Sequence, residues 1–255
     1  MRALADLVLP RTCAGCGAPG SAVCPRCRRW LTVPRLATPR RHLPGMPPTV
    51  AAGPYAGPVR PVVLDFKEHG RAELARPLGA ALALAVTVLL RALTGPPPPG
   101  PVLLVPVPSS PAAVQRRGRD HVRELAGCAA AELLAAGVPA QVLPVLRLGR
   151  GTRDSAGLDA GERRRNLAGR FTVRLPRDGA LPAGTLVLVD DVVTSGATLA
   201  EAARALRGRS AGGVPGGGGR PGSGRPLVAA VVAATPRRPP LTGRREPAVL
   251  FTVRN

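Results

Sequence analysis

Leu186-Val187-Leu188-Val189-Asp190-Asp191-Val192-Val193-Thr194-Ser195-Gly196-Ala197-Thr198-Leu199 is the stretch from which the fold is read. Its apolar run predicts a buried strand, with two adjacent carboxylates at the C-terminal end. A loop of hydroxyls around one glycine then opens a helix near Gly196 that continues to about Leu206. Ligands of open α/β sheets bind outside such strand ends. Residues 194–198 can turn successive backbone N–H groups onto one phosphate. The Thr194, Ser195 and Thr198 hydroxyls add donors, and the helix N-terminus adds positive potential. Gly196 brings no Cβ into that approach, and Ala197 lies in the same turn. Asp190 and Asp191 are then poised for hydroxyls on the phosphorylated group. A phosphate with vicinal hydroxyls describes a ribose 5-phosphate.

Outward from this stretch, apolar β runs are expected at 49–55, 102–105, 141–146 and 227–233, with a further strand at 248–253. Helices are expected at 58–69, over the apolar run 77–90 that ends near Leu93, and at 120–136. Strands alternating with helices predict an α/β domain built on a mostly parallel sheet flanked by helices. Residues 208–226 (GRSAGGVPGGGGRPGSGRP) interrupt the order without any hydrophobic period, and read as a disordered Gly-rich insertion.

Two further polar constellations precede the acid pair. Val105-Pro106-Val107-Pro108 is followed by Arg116-Arg117-Gly118-Arg119-Asp120-His121, where the Arg116 and Arg117 guanidinium groups can hold a pyrophosphate through bidentate contacts. A loop with solvated arginines is the plain alternative. Residues 150–158 and 162–167 read as a polar loop running into a basic helical turn, which can close over a substrate or simply lie on the surface.

Cys13, Cys16, Cys24 and Cys27 form two C-x-x-C pairs near the N-terminus. Two such turns complete a tetrahedral four-cysteine shell of the structural Zn2+ type, with no position left open for substrate. Two disulfides, a redox dithiol and an iron–sulfur site are the alternatives. Reduced cytoplasmic thiols weigh against the first, and duplication of the motif against the second. Cys128 stands apart within a helical stretch and reads as a small buried hydrophobe.

The chain has 255 residues, with 36 Lys plus Arg against 15 Asp plus Glu, for a net charge of +21. Such a field attracts polyanions, so phosphates and nucleic acid are the expected partners. Lys67 is the single lysine, and the Arg-, Ala-, Gly- and Pro-rich composition is that of a GC-rich coding sequence. Aromatic residues make up 2%, which argues against a row of base-stacking platforms. The run 77–90 ends at Arg91 before reaching the ~18 residues of a spanning helix. Residues 1–11 hold a charge at Asp6 and too short an apolar core for a secretory signal. These features predict a cytoplasmic protein without membrane insertion, divided into a knuckle at 1–33, a Pro/Arg-rich linker at 34–48 and an α/β domain at 49–255.

The acid pair and its loop resemble the signature of type I phosphoribosyltransferases, with Thr194-Ser195-Gly196 where Thr-Thr-Gly is usual. That resemblance implies phosphoribosyl pyrophosphate as ligand, with Mg2+. Together with the four-cysteine knuckle, Phe66-Lys67-Glu68-His69-Gly70, VPVP, the RRG run, residues 153–167 and Ala234-Thr235-Pro236-Arg237, the chain resembles the competence protein F (ComF) family over most of its length. Ser155 stands where many relatives carry glutamine, and Asp120 where many carry asparagine. The resemblance implies a type I phosphoribosyltransferase fold and, for some members, a part in DNA uptake during natural transformation. Two functional classes follow. In a transferase, an acceptor nitrogen attacks the anomeric carbon, Asp190 and Asp191 act catalytically by stabilising positive charge on the sugar, and Arg116 and Arg117 steady the departing pyrophosphate. In a non-catalytic factor, the same fold acts on single-stranded DNA, with Arg26, Arg28, Arg29 and Trp30 beside the knuckle as the contact.

Overall fold

The structure is a computed structural model that describes residues 11–38, 43–92, 100–149, 169–176, 179–210 and 226–236. The polar segment at 150–167, the strand expected at 248–253, Arg237 and the bulk of the 208–226 insertion lie outside the described residues. The sheet is centred on β7 (Thr185–Val193), whose near-continuous apolar run suits a strand covered on both faces. It is flanked by β8 (Leu227–Ala234) and β3 (Val102–Pro106), and beyond them by β2 (Thr49–Pro54) and β4 (Ala140–Val142). These five strands run parallel, and β1 (Arg35–Leu36) closes one edge antiparallel to β2, giving the order β1-β2-β8-β7-β3-β4. This is the expected α/β architecture, a mostly parallel sheet flanked by helices in a phosphoribosyltransferase-like arrangement.

Three helices cover one face: α2 (Val59–Lys67), α3 (Ala75–Ala92) and α5 (His121–Ala135). Val62, Val63 and Phe66, then Leu78, Leu82 and Val86, then Leu125 and Ala129 pack on Val187, Val189 and Ala230. Gly79 lets α3 and α5 meet closely, since a Cβ there would stand 2.3 Å from the Cβ of part-buried Cys128. The helical run Ala72–Ala92 is long and apolar enough by composition to cross a bilayer, but half of it is buried inside the protein, as in a core helix. The opposite face is covered by α6 (Ala197–Ser210) and by the antiparallel pair β5 (Leu146–Leu148) and β6 (Phe171–Val173). Leu199, Ala203 and Leu206 pack there on Leu186, Leu188 and Val231.

The structure differs from the sequence reading in three local features. The strand expected at 141–146 is split between β4 and β5, which belong to different sheets; Pro144 between them lacks the N–H a continuous ladder needs. Arg116 and Arg117 end a short helix, α4 (Pro111–Arg117), rather than lying in a loop. Ser110 caps it by accepting from Ala113 N at 3.2 Å, Pro111 opens it, and Gly118 at φ +68° closes it. Residues 34–48, expected as a linker, contribute β1 and seat Met46 against the second core. The N-terminal segment also packs firmly: Cys13, Val23, Cys27 and Leu31 are part of the α2–α3 core. Gly53 on β2 permits that contact, because a Cβ there would lie 2.1 Å from the Trp30 carbonyl oxygen.

Candidate functional site

Two separate centres emerge, a thiolate cluster and a charged cluster at the sheet edge. In the first, the sulfurs of Cys13, Cys16, Cys24 and Cys27 lie within 4.8 Å of one another. Thiolates about 2.3 Å from a shared zinc stand ~3.8 Å apart in a tetrahedron, and Cys16 Sγ and Cys24 Sγ are 3.7 Å apart. The donor set therefore fits a structural zinc. The backbone prepares it: Gly15 N and Cys24 N donate to Cys13 Sγ at 3.4 and 3.3 Å. Burial opposes ionisation of Cys13, but backbone donors from Cys24, Gly15 and Cys16 outweigh it and lower its pKa to about 6. Gly15 is required by close approach, since a Cβ would stand 2.9 Å from Cys27 Sγ. Around the fourth ligand, Cys27, α1 (Pro25–Arg28) and the following 3-10 turn (Arg29–Leu31) present Arg26, Arg28, Arg29 and Trp30 to solvent.

The second centre sits where β7 ends. Asp191 is 4% exposed, and its Oδ2 accepts from both Lys67 Nζ at 2.8 Å and His121 Nε2 at 2.9 Å. Lys67 comes from the last turn of α2 and His121 from the first residue of α5, so two of the three helices of the first face converge on one carboxylate oxygen. Its other oxygen accepts from Val192 N at 2.6 Å. Burial alone would raise the Asp191 pKa; the Lys67 charge and the His121 bond outweigh it and hold the group well below the ordinary carboxylate range. Asp190 is part-exposed and behaves oppositely. Burial, then the neighbouring Asp191 charge, pushes it well above the ordinary value. His121 is 1% exposed, its Nδ1 has no hydrogen-bond partner, and its ring stands edge-on to Phe66 at 6.1 Å between centroids. Arg119 stacks on Phe66 at 4.4 Å to the ring centroid.

The turn expected to hold a phosphate follows directly. Thr194 is exposed, Ser195 and Thr198 are part-exposed, and Gly196 and Ala197 are buried. Gly196 adopts φ +80°, and a Cβ on it would lie 2.3 Å from the Met46 sulfur. Ser195 Oγ accepts from Ala197 N at 3.4 Å at the start of α6. The acid pair and the hydroxyl turn thus lie side by side where β7 ends and α6 begins. Arg117 reaches the same edge already paired, its Nε and Nη2 donating to Glu68 at 3.0 and 2.6 Å with the side chain 7% exposed. Sequence reasoning assigned no role to Lys67, Glu68, His121 or Met46. Lys67 alone carried a usable signal, as the one ammonium among 36 basic side chains.

The sheet order and the acid–hydroxyl edge define an α/β protein of phosphoribosyltransferase-like fold carrying a four-cysteine knuckle. No protein-family model matches the chain. It is 32% identical over 194 residues to the DNA utilization protein YhgH of Salmonella typhi, an alignment covering 76% of this chain and 77% of that relative. The chain belongs to the family of that DNA utilization protein.

Proposed function

We propose that the protein is a DNA uptake and utilization factor of the cytoplasm whose sheet-edge site binds phosphoribosyl pyrophosphate. The observation that carries the first half is the similarity to the DNA utilization protein YhgH over 76% of the chain. Exposed cationic and apolar side chains of one segment support it: Arg26, Arg28, Arg29 and Arg35 are exposed, as are Trp30, Val33 and Leu36. Guanidinium groups pair with strand phosphates, and an exposed indole offers a base one stacking surface. The test is uptake and consumption of labelled DNA by a strain lacking the gene. Loss restored by the wild-type gene but not by Arg28→Ala/Arg29→Ala is expected; undiminished uptake in the deletion strain rejects the proposal.

The phosphoribosyl half is favoured by the Asp190–Asp191 pair beside a glycine turn that opens α6. The turn offers backbone donors and hydroxyls to a 5-phosphate, and part-exposed Asp190 faces the sugar hydroxyls. Mg2+ would be supplied with the ligand, held chiefly by its pyrophosphate oxygens, as this ion usually takes only one or two protein carboxylates. Asp191, already holding Lys67 and His121, orients the edge rather than coordinating a metal. Transfer of the phosphoribosyl group to an acceptor is the enzymatic extension of this reading, with the Asp190–Asp191 pair beneath the sugar, Asp190 offering its hydrogen bonds to the hydroxyls, and Arg116 and Arg117 on the pyrophosphate side. Calorimetric titration with phosphoribosyl pyrophosphate and Mg2+ tests it. Saturable heat that Asp190→Asn weakens is expected, and an absence of heat overturns it.

A further inference from the structure

Lys67 is the single lysine in a chain whose 36 basic side chains are otherwise arginine. A composition that favours arginine everywhere else retains an ammonium at this position. Its Nζ lies 2.8 Å from Asp191 Oδ2 while 31% of the side chain remains exposed. An arginine could neutralise Asp191 bidentately; an ammonium instead gives one N–H to a single oxygen and keeps two in other directions. Among the described residues, Asp191 is the one hydrogen-bonding partner of those three donors. The charge is secure, because attraction to Asp191 outweighs the effect of burial and raises the Lys67 pKa. Arg117 stands close enough for its charge to oppose that rise, so two cations share this corner. Arg117 in turn donates two hydrogen bonds to the Glu68 carboxylate, which fixes its guanidinium.

The placement of these cations relative to the turn is decisive. The turn at 194–198 leads into α6, on the sheet face where Leu199 and Leu206 pack. Lys67 and His121 come from α2 and α5, on the opposite face. A ligand held by its phosphate in the turn and crossing the end of β7 would extend toward the face from which Lys67 reaches Asp191. Negative charge at both ends, with a sugar between, satisfies this edge.

We propose that Lys67 is a ligand-binding residue that grips the pyrophosphate end of a phosphoribosyl pyrophosphate-class ligand, with Asp191 and His121 as positioning residues that fix its ammonium. This inference rests on the phosphoribosyl reading of the turn. Both bonds on one Asp191 oxygen restrict where that oxygen, and hence Nζ, can lie. The buried His121 ring, seated against Phe66, makes the arrangement rigid.

The experiment is calorimetric titration of the full chain with Mg2+ and, separately, inorganic pyrophosphate or ribose 5-phosphate, for wild type and Lys67→Met. Loss of a charged hydrogen bond predicts pyrophosphate affinity lower by about tenfold or more in the variant, with ribose 5-phosphate affinity unchanged. Equal pyrophosphate affinity in both proteins, equal weakening for both ligands, or no pyrophosphate binding by the wild type overturns the inference. If the wild type binds pyrophosphate through Lys67 but ignores ribose 5-phosphate, the phosphoribosyl reading fails and Lys67 stands as the anion ligand. Should Lys67→Met not fold, 13C-lysine labelling of the wild type gives one side-chain Cε signal. A saturable shift with pyrophosphate supports the proposal, and an unmoved signal overturns it.

Discussion

At the level of single residues, Asp190 and Asp191 are chain neighbours held in opposite protonation regimes, because Lys67 and His121 both bond to Asp191 Oδ2. The consequence for stability has a definite sign. A carboxyl whose pKa is lowered by folding stabilises the fold above its unfolded value, about 4, and that contribution is lost as pH falls toward the folded value. Asp191→Asn should therefore lower the neutral-pH stability by roughly 2–4 kcal/mol, since it leaves Lys67 and His121 without their counter-charge. The deficit should shrink in acid. Asp190 runs the other way: its raised pKa means that folding favours the protonated acid, so stability falls as pH rises from about 4 through the folded value. Asp190→Asn removes that loss, and its melting temperature should exceed the wild-type value by a margin that grows as pH rises above about 4. Thermal melts of the two variants across this range check both signs; a matching response from both acids would contradict the arrangement around Asp191.

At the level of elements, the turn between β7 and α6 depends on Gly196 for two separate reasons. Its φ of +80° disfavours any side chain, and Met46 fills the space a Cβ would take. Gly196→Ala should cost about 1–2 kcal/mol from the backbone alone and lower affinity for ribose 5-phosphate. Met46→Ala in the same chain should relieve the contact without restoring the backbone. Thermal melting and calorimetry on the single and double variants separate the two effects; full rescue by the second change would mean that crowding alone requires glycine. The same turn shows what was legible in the sequence. From Leu186 to Leu199 every cue is local: a buried apolar run, then acids, then hydroxyls about a glycine. The structure reproduces strand, turn and helix there. The helix expected at 120–136 is equally local and corresponds to α5. By contrast, β1, β5 and β6 have two or three residues each, too few for an alternating pattern, and exist through their partners. The Ser110-Pro111 start and Gly118 stop of α4 were readable capping signals, obscured by a proline-rich approach from Val105. The grip on Asp191 could not be read as a contact, because it joins residues more than fifty positions apart and neither Lys67 nor His121 stands in a metal or triad spacing; only the singularity of Lys67 hinted at a role.

At the level of the whole molecule, the four-cysteine knuckle clamps onto the core and carries exposed arginines. Cys13, Val23, Cys27 and Leu31 share a core with α2 and α3, so metal loss should be felt well beyond the four thiolates. Metal analysis of Cys16→Ser should show zinc absent where the wild type holds one equivalent. The melting temperature should fall with it, by about 2–4 °C for each kcal/mol lost in a chain of this size. Beside that clamp, Arg26, Arg28, Arg29 and Arg35 are exposed around Trp30. A zinc centre with four thiolate ligands carries a formal charge near −2, so these arginines have two candidate roles: neutralising the centre, or meeting a polyanion. Salt dependence distinguishes them. The chain's net charge of +21 guarantees some attraction for DNA at low salt wherever the contacts fall, so weak binding alone decides nothing. The slope of log affinity against log salt decides, because each phosphate contact to a single strand contributes about 0.7 to it. If the knuckle face is the interface, Arg28→Ala/Arg29→Ala should flatten the slope by about 1.4, and Trp30→Ala should weaken binding by about 1–3 kcal/mol with the slope retained. Fluorescence anisotropy with labelled single strands across a salt series measures both quantities. An unaltered slope in the double variant would return these arginines to the role of counter-charges for the zinc centre and move the DNA contact elsewhere on the molecule.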